Sequence, residues 1–263
     1  MIIDGKAVAK RIYDEVAKEV AGLSKVPVMA AITCAPNFET QKYLELKKRK
    51  AEEVGITLRV VELPKTATTE EVTEHIQTVL LDVDGVVVQL PFPAHIDRET
   101  VLRAVPVTKD PDGFSYGTIS DTCLPPVPAA IMEIAKAYNI SFKDKVVLVL
   151  GQGRLVGLPT ARFLETQGAN VTVLTKDDKN PEELLQNADI IVTGIGVPHF
   201  VTKEMVRNGV VIFDAGTSED GGLMVGDVHP DVAQKASFFT PVPGGIGPVT
   251  VAVLLKNLVS LIE

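Results

Sequence analysis

The segment "YLELKKRK" at residues 43–50 places four cationic side chains within eight residues of an otherwise acidic chain. On a helix, side chains four positions apart share a face, so Tyr43 and Lys47 would point the same way while Lys48 and Arg49 turn aside. A lysine can transfer protons near neutral pH if its surroundings favour the neutral amine. A run of charges is also typical of a solvated helix face, and this segment alone favours that interpretation.

The composition excludes several classes of protein. The chain has 263 residues, 46% of them hydrophobic, which fits one large or two ordinary globular domains. A formal net charge of −8 provides no overall attraction for nucleic acid or an anionic membrane. Two cysteines, Cys34 and Cys123, cannot build a disulfide framework or a four-thiolate metal site. The start lacks the apolar run of a signal peptide, so we expect a cytoplasmic protein with no nucleic-acid or membrane partner.

Short apolar runs alternate with stretches of helical periodicity, which predicts an α/β fold with parallel strands. Thr68 and Glu71 have the spacing of a capping box at a helix start. A segment with five prolines, residues 105–128, predicts a long loop between two halves of the chain. The predicted elements of the first half are a helix over 7–23, a strand over 27–33, a helix from Tyr43 to near Gly55, a strand over 57–62, a helix over 69–81 and a buried strand over 85–90.

A glycine-rich turn opens the second half, where the strand "KVVLVL" leads into Gly151, Gly153 and Gly157 and then a helix. Such a turn can receive a nucleotide phosphate at the helix N-terminus, although its spacing is one residue longer than the usual dinucleotide fingerprint. Alternatively, it is a strand-to-helix turn without a ligand. The strand-like segments that follow are typical of a doubly wound sheet. No cluster of residues has metal-ligand spacing, and the four histidines are isolated in the sequence.

Several separated motifs carry a resemblance. The segment "TPVPGGIGPVTVAVLLKN" closely resembles the signature of the bifunctional methylenetetrahydrofolate dehydrogenase/cyclohydrolase enzymes of one-carbon metabolism. The resemblance extends to Tyr43-x-x-x-Lys47, to "VQLPFPAH" with Gln89, to "KDPDGF" with Asp112 and to the glycine turn. Several motifs in the same order and spacing are far more specific than any one of them.

The resemblance implies a folate/catalytic domain over residues 1–120, joined by the C-terminal helix at about 246–263, and a Rossmann-like nucleotide-binding domain over 121–245. It also implies oxidation of 5,10-methylenetetrahydrofolate with NADP, or with NAD as the alternative, and hydrolysis of the methenyl product to 10-formyltetrahydrofolate, which serves purine biosynthesis. Neither step needs a metal. Members of this family tend to form homodimers.

The resemblance assigns roles to residues. Lys47 is the expected proton-transfer group, Gln89 its neutral partner, Tyr43 the residue that orients folate and lysine, and Asp112 the carboxylate that binds the pterin. The remaining expected contacts are Pro243, Gly244 and Gly245 for the substrate, and Gly151, Gly153, Arg154, Gly157, Thr175, Lys176, Gly194 and Gly196 for the cofactor.

The sequence departs from the family on the cofactor side. Gly151-Gln152-Gly153 stands where the family has Gly-Arg-Ser, and Thr175 and Lys176 replace a frequent His-Ser. Near residue 130, Pro126-Val127-Pro128 replaces Cys-Thr-Pro. Two alternatives therefore stay open: a cyclohydrolase that has lost its redox activity, and a folate-binding or regulatory subunit without catalysis. Retention of the lysine argues against the second, since a binder does not need it.

Overall fold

The structure, a computed structural model, describes residues 1–178 and 181–262, with the side chain of residue 39 left out. The chain divides into two compact units. We name the unit formed by Lys10–Pro125 and Val251–Glu263 the lysine unit, and the unit formed by Met1–Ala9 and Pro126–Thr250 the glycine-turn unit.

Three parallel strands form the sheet of the lysine unit, in the order β2-β1-β3. Alternate residues of β1, such as Ala30 and Ile32, pack with Val72 and Ile76 of helix α3 in one apolar cluster. Because successive strand residues point to opposite faces, the other β1 side chains lie on the opposite side of the sheet. The strands are β1 (Val28–Cys34), β2 (Thr57–Leu63) and β3 (Gly85–Val88), and the helices are α1 (Gly5–Gly22), α2 (Phe38–Glu53), α3 (Thr69–Val79) and α4 (Arg98–Arg103).

Five parallel strands form the sheet of the glycine-turn unit, in the order β10-β7-β6-β4-β5. From β4 the chain proceeds to β5 on one side and then to β6, β7 and β10 on the other, so the direction reverses between β4 and β6. Ligands of doubly wound sheets bind at such a switch point, beyond the carboxyl ends of the strands. The strands are β4 (Val146–Leu150), β5 (Asn170–Leu174), β6 (Ile190–Thr193), β7 (Val211–Asp214) and β10 (Phe238–Phe239), with a β8–β9 hairpin (Ser218–Asp220 and Leu223–Val225). The helices are α5 (Pro126–Tyr138), α6 (Gly157–Thr166) and α7 (Pro181–Asn187), and α8 (Ile246–Ser260) begins in this unit and belongs to the lysine unit from Val251 onward.

The predicted α/β class with a doubly wound sheet is confirmed, and the predicted elements lie within a few residues of the observed ones. The capping box is also confirmed: Thr68 Oγ1 accepts from Glu71 N at 3.2 Å, and Glu71 Oε2 accepts from Thr68 N at 2.8 Å. The predicted domain boundaries stay a prediction.

One part of the prediction was wrong. The predicted loop over 105–128 contains a 3₁₀ helix at Val107–Lys109 and the start of α5 at Pro126. Proline suits the first turn of a helix, where its missing N–H has no intrahelical partner to lose. Helix α4, the β8–β9 hairpin and β10 were not predicted, because each is too short to show a periodicity. Of the helices in the described part of the chain, none has the length and apolar content needed to span a membrane.

Candidate active site

Helix α2 positions the cationic segment in the lysine unit. Its N-cap residue Asn37 accepts a hydrogen bond from Thr40 N at 2.8 Å, which satisfies one free donor of the first turn. The helix continues to Glu53, and Gly55, with φ +84°, turns the chain into β2. Tyr43 and Lys47 thus lie one turn apart on one face, as predicted.

Lys47 is only 6% exposed, and its ammonium Nζ donates to Gln89 Oε1 at 2.9 Å. Gln89 follows β3, where its backbone N–H donates to Ile32 O at 2.8 Å. Its side-chain Nε2 donates to Leu90 O at 3.0 Å. The amide is therefore held at both ends, so its oxygen faces the lysine and its nitrogen faces the backbone.

The four cations of the segment lie in two different environments. The Nζ of Lys47 lies 4.9 Å from the centroid of the Tyr43 ring, within the range of a cation–π contact. Lys48 and Arg49 are exposed, and Lys50 Nζ binds Glu53 Oε2 at 2.5 Å. The segment is consequently a solvated helix face on one side and a buried polar site on the other.

Asp112 belongs to the same cluster. Desolvation raises the pKa of its carboxyl, and the positive charge of Lys47 opposes that rise. The lysine is therefore close enough to act on Asp112 electrostatically. The residue as a whole is half-buried, so part of it is open to solvent or a ligand.

Asp110, which the sequence analysis missed, organises the turn that carries Asp112. Its carboxylate is 3% exposed and accepts backbone N–H groups from Asp112 at 3.1 Å, Gly113 at 3.0 Å and Phe114 at 2.7 Å. Burial raises the pKa of Asp110 to about 7, and the neighbouring Asp112 adds to the rise, while the three backbone donors oppose it. An aspartate just before a Pro-Asp-Gly turn is the signal that could have identified it.

The C-terminal helix supports this turn from within the lysine unit. Asn257 Nδ2 donates to Pro111 O and to Leu124 O, each at 2.9 Å. Gly113 has φ +63°, and a Cβ there would lie 2.3 Å from Cys123 O, so only glycine fits. The position of Asp112 is thus fixed by buried contacts on both sides.

The glycine-turn unit gathers a second set of predicted residues at its switch point. A Cβ on Gly157 would lie 2.1 Å from Gly151 O, and one on Gly194 would lie 2.6 Å from Val156 Cγ1. Gly153 has open space where a Cβ would stand, within the described residues. Helix α6 begins at Gly157 without a side-chain capping bond. Leu158 N donates to Gly153 O at 3.1 Å and Pro159 has no N–H, so the Gly157 N–H and the positive end of the helix dipole are the features that fit a phosphate.

The end of β5 adjoins this turn, since Gly151 N donates to Leu174 O at 2.8 Å. Thr175 follows the strand, and both its backbone N and its Oγ1 donate to Asp178 Oδ2, at 2.6 and 2.8 Å. Lys176 is exposed, and Arg154 is partly buried in the glycine turn. Hydrogen bonds from Thr175 hold the pKa of Asp178 below its usual range, so an ionised acid stands at the strand end.

The Pro243–Gly245 turn belongs to the glycine-turn unit. It comes just before α8 in the chain and contacts the start of α1. Gly5 N donates to Gly244 O at 3.0 Å, and Gly245 N donates to Pro241 O at 2.7 Å. A Cβ on Gly5 would lie 1.8 Å from Gly245 O, so the two segments are in direct backbone contact.

The predicted residues therefore form two groups. Tyr43, Lys47, Gln89 and Asp112 come together in the lysine unit, whereas the glycines, Thr175 and the Pro243 turn belong to the other unit. Within the described residues, no group of three or more His, Cys, Asp or Glu side chains is arranged to hold a metal ion. A buried lysine beside an amide, together with a doubly wound sheet that ends in a glycine turn, defines the class of two-unit α/β nucleotide-binding enzymes.

Comparison with known proteins identifies the family. Residues 3–112 match the catalytic domain of tetrahydrofolate dehydrogenase/cyclohydrolase, and residues 125–263 match its NAD(P)-binding domain. A bifunctional FolD protein of Campylobacter curvus is 37% identical over 271 residues, covering 98% of this chain and 94% of that protein. A FolD protein of Streptococcus suis is 38% identical over 270 residues, covering 97% of this chain and 96% of the Streptococcus suis protein.

Comparison with solved structures indicates the same family. The bifunctional FolD methylenetetrahydrofolate dehydrogenase/cyclohydrolase of Campylobacter jejuni superposes with a TM-score of 0.95 at 33% identity, over 99% of this chain and 98% of that one. The Trypanosoma brucei enzyme, solved with NADP and an inhibitor, gives a TM-score of 0.92 at 33% identity, over 99% and 96%. This chain belongs to the tetrahydrofolate dehydrogenase/cyclohydrolase family.

Asp110 provides a test of the electrostatics of the site. Its folded pKa of about 7 exceeds the unfolded value of about 3.8, so the folded state holds the proton more tightly. The stability gained from this proton is fully present below about pH 4 and is lost as the pH rises through about 7. One such group contributes a slope of at most about 1.4 kcal/mol per pH unit. Asp110→Asn should remove this contribution, so the free energy of unfolding should fall less steeply with pH.

Urea unfolding between about pH 4.5 and pH 7.5 measures the slope. Asp121→Asn is the matched control, because Asp121 is exposed, and it should keep the wild-type slope. An Asp110→Asn slope equal to that of the wild type would contradict the assignment.

Proposed function

We propose that this chain carries out both activities of its family, with Lys47 as the residue that transfers protons in the hydrolytic step. The single observation that carries the proposal is the buried Lys47–Gln89 hydrogen bond of 2.9 Å beside Tyr43 and Asp112. A lysine removed from water and held by a neutral partner has no evident structural purpose on a helix where Lys42, Lys48 and Arg49 are exposed.

The two reactions make different demands on the protein. Oxidation removes a hydride from the one-carbon bridge of 5,10-methylenetetrahydrofolate, and bound NADP supplies the acceptor for it. The residues around the folate contribute chiefly by holding the bridge in a reactive orientation. Hydrolysis adds water to the methenyl carbon with loss of one proton, and one carbon–nitrogen bond then breaks as the new hydroxyl becomes the formyl carbonyl. The hydroxyl proton leaves to solvent, and the released nitrogen receives a proton. Hydrolysis therefore needs a group that can first accept a proton and then donate one.

Lys47 meets the second demand. Its neutral amine accepts a proton from the attacking water, and the resulting ammonium donates one to the leaving nitrogen. Gln89 accepts a hydrogen bond from the lysine and places no negative charge beside it. The Tyr43 ring restricts the lysine side chain and offers an aromatic surface to the folate.

Asp112 binds the pterin in this proposal. A pterin presents neighbouring N–H groups, and a carboxylate can accept two of them at once. Burial that disfavours the charged carboxylate in the free protein makes such donors more valuable on binding. Pro243, Gly244 and Gly245 add a backbone surface for the substrate.

NADP binds the glycine-turn unit in this proposal, through the residues that surround the switch point. The match to an NAD(P)-binding domain supports this, as does the NADP complex of the Trypanosoma brucei relative. The residues assigned to the cofactor are Gly151, Gly153, Arg154, Gly157, Thr175, Lys176, Gly194 and Gly196. We assign folate chemistry to residues 1–120 with about 246–263, and the cofactor to 121–245.

The setting of the enzyme is also part of the proposal. The sequence resemblance supports a homodimer and a place in one-carbon supply to purine biosynthesis. The scarcity of cysteine supports a reducing, cytoplasmic compartment without a membrane partner.

A cyclohydrolase without redox activity is the second candidate function. Gln152 in place of the family's arginine and the ionised Asp178 beside Thr175 favour it, because both weaken the attraction for a 2′-phosphate. Reduction of NADP or NAD by the wild-type protein with methylenetetrahydrofolate distinguishes the two candidates.

Lys47→Met should lower the rate of methenyltetrahydrofolate hydrolysis by about 10²–10⁴-fold, because it removes the proton-transfer group. Methionine keeps the length of the buried side chain, so folding and folate binding should persist. The measurement is the loss of methenyl absorbance under saturating substrate. Lys48→Met on the same helix is the matched control, since Lys48 is exposed, and it should hydrolyse at the wild-type rate. Wild-type hydrolysis by Lys47→Met would refute the role.

Cofactor choice tests the strand end after β5. We expect a modest preference for NADP, with Lys176 as the cation that meets the 2′-phosphate, since Asp178 already holds the Thr175 hydroxyl. Lys176→Ala should reduce the NADP/NAD ratio of kcat/KM by about tenfold, the effect of one charge-assisted contact. Asp178→Ala should increase the ratio, because it removes an anion and frees the Thr175 hydroxyl.

The ratio is measured with both cofactors in the wild type and in each variant. Asp177→Ala is the matched control for Asp178→Ala, because it removes a neighbouring exposed acid that accepts neither Thr175 bond. A wild-type preference for NAD, or an unchanged ratio in Lys176→Ala, would disprove this assignment.

A further inference from the structure

Two buried aspartates lie at the carboxyl ends of the strands in the glycine-turn unit, and neither was singled out from the sequence. Asp227 is 0% exposed and Asp214 is 1% exposed. Desolvation raises the pKa of Asp214 to about 6, and the charge of Asp227 contributes, although backbone donors oppose the rise. Within the described residues, neither carboxylate takes part in an ion pair. Such burial is costly unless hydrogen bonds replace water.

Asp227 accepts three hydrogen bonds, one from the last residue of β6 and two from the segment that follows it. Its Oδ2 accepts from Thr193 Oγ1 at 2.7 Å and from Ile195 N at 2.7 Å, and its Oδ1 accepts from Val197 N at 2.9 Å. We name residues 194–197 the β6 loop. Both oxygens of a single carboxylate thus determine the path of this loop.

Asp214, the last residue of β7, holds Asp227 in turn. Its Oδ1 accepts from Asp227 N at 3.2 Å and from Gly216 N at 2.9 Å, and its Oδ2 accepts from Val228 N at 3.0 Å. The two acids therefore act in series: Asp214 fixes the peptide of Asp227, and the Asp227 side chain fixes the β6 loop.

Two glycines allow this close approach. A Cβ on Gly226 would lie 2.0 Å from Asp214 Oδ2, and one on Gly216 would lie 2.4 Å from Asp227 Oδ1. Any other residue at either position would displace a carboxylate. Each buried acid thus has a glycine in contact with it, which indicates that the position of each carboxylate is specified by the surrounding residues.

The β6 loop packs directly on the glycine turn. A Cβ on Gly194 would meet Val156 Cγ1 at 2.6 Å, and one on Gly151 would meet Ile195 Cγ2 at 2.8 Å. The β6 loop and the glycine turn thus both line the crevice at the switch point between β4 and β6, and the turn is the side that fits a phosphate. A displacement of the loop would change the shape of this crevice.

We infer that Asp227 is a positioning residue for the cofactor, which it serves by holding the β6 loop against the glycine turn, with Asp214 as its support. This inference rests on the proposed function, because it requires the glycine-turn unit to bind NADP. It assigns no contact with the cofactor to either acid. Its consequence is that loss of Asp227 weakens the use of the cofactor while leaving the hydrolytic chemistry of the lysine unit in place.

The test uses the purified full-length protein and its two activities. Asp227→Asn retains the size of the side chain but replaces one acceptor oxygen with an NH₂ group that faces a backbone or hydroxyl donor. We expect the KM for NADP to rise about tenfold or more, the effect of losing charge-assisted hydrogen bonds. Hydrolysis of methenyltetrahydrofolate, which uses no nucleotide, should stay within about twofold of the wild type, since its residues lie elsewhere.

Asp189→Asn is the matched control. Asp189 also caps a strand of this sheet, since its Oδ2 accepts from Val146 N at 2.8 Å, but it does so at the amino end of the strands. It should lower the melting temperature without changing the KM for NADP. A merely structural role for Asp227 would make the two variants behave alike.

Thr193→Val keeps the test decisive if Asp227→Asn does not fold. It removes one of the three donors and should raise the KM for NADP about threefold without loss of hydrolysis. An unchanged KM for NADP in a folded Asp227→Asn or in Thr193→Val would overturn the inference, as would an equal loss of both activities. A wild-type protein that reduces neither NADP nor NAD would instead overturn the proposed redox function, so the two failures are distinguishable.

Discussion

A buried ammonium requires a hydrogen-bond acceptor, and the arrangement of the lysine unit follows from that requirement. Lys47 lies on α2, and its acceptor Gln89 lies just after strand β3 rather than on α2. The helix start at Asn37, the strand order β2-β1-β3 and the backbone bonds of Gln89 must all be correct for the two side chains to meet. A change in any of these would leave a charge buried without its partner, which is costly.

Buried carboxylates that accept hydrogen bonds from backbone N–H groups recur in the loops of both units. Asp110 fixes the turn that carries Asp112, and Asp227 with Asp214 fixes the β6 loop. In each case a buried carboxylate, rather than the loop's own residue types, fixes the path of the loop backbone. The protein thereby obtains fixed loops next to both of its sites, at the cost of desolvating acids, and burial raises the pKa of Asp110 and of Asp214.

The sequence alone predicts much of this structure, for identifiable physical reasons. Strand and helix periods, the Thr68 capping box and the glycines after β4 depend on local chemistry, so they can be read directly. The pairing of Lys47 with Gln89 was predicted only through family resemblance, because it joins residues 42 positions apart in the chain. Asp110 and Asp227 escaped prediction because an aspartate beside proline or glycine ordinarily indicates a solvated turn, and Asp214 escaped it because an aspartate at a strand end is ordinarily exposed. Only the tertiary structure reveals that these three are buried and fully bonded.

We propose that Lys47 needs a neutral partner to serve in proton transfer. Gln89→Glu tests it most directly, because the variant places a carboxylate 2.9 Å from the same ammonium in nearly the same volume. The measurement is the pH profile of methenyltetrahydrofolate hydrolysis in the wild type and in this variant. A carboxylate favours the charged lysine over the neutral amine, so the variant should reach its half-maximal rate at a higher pH than the wild type. A variant whose profile and maximal rate match those of the wild type would contradict the account.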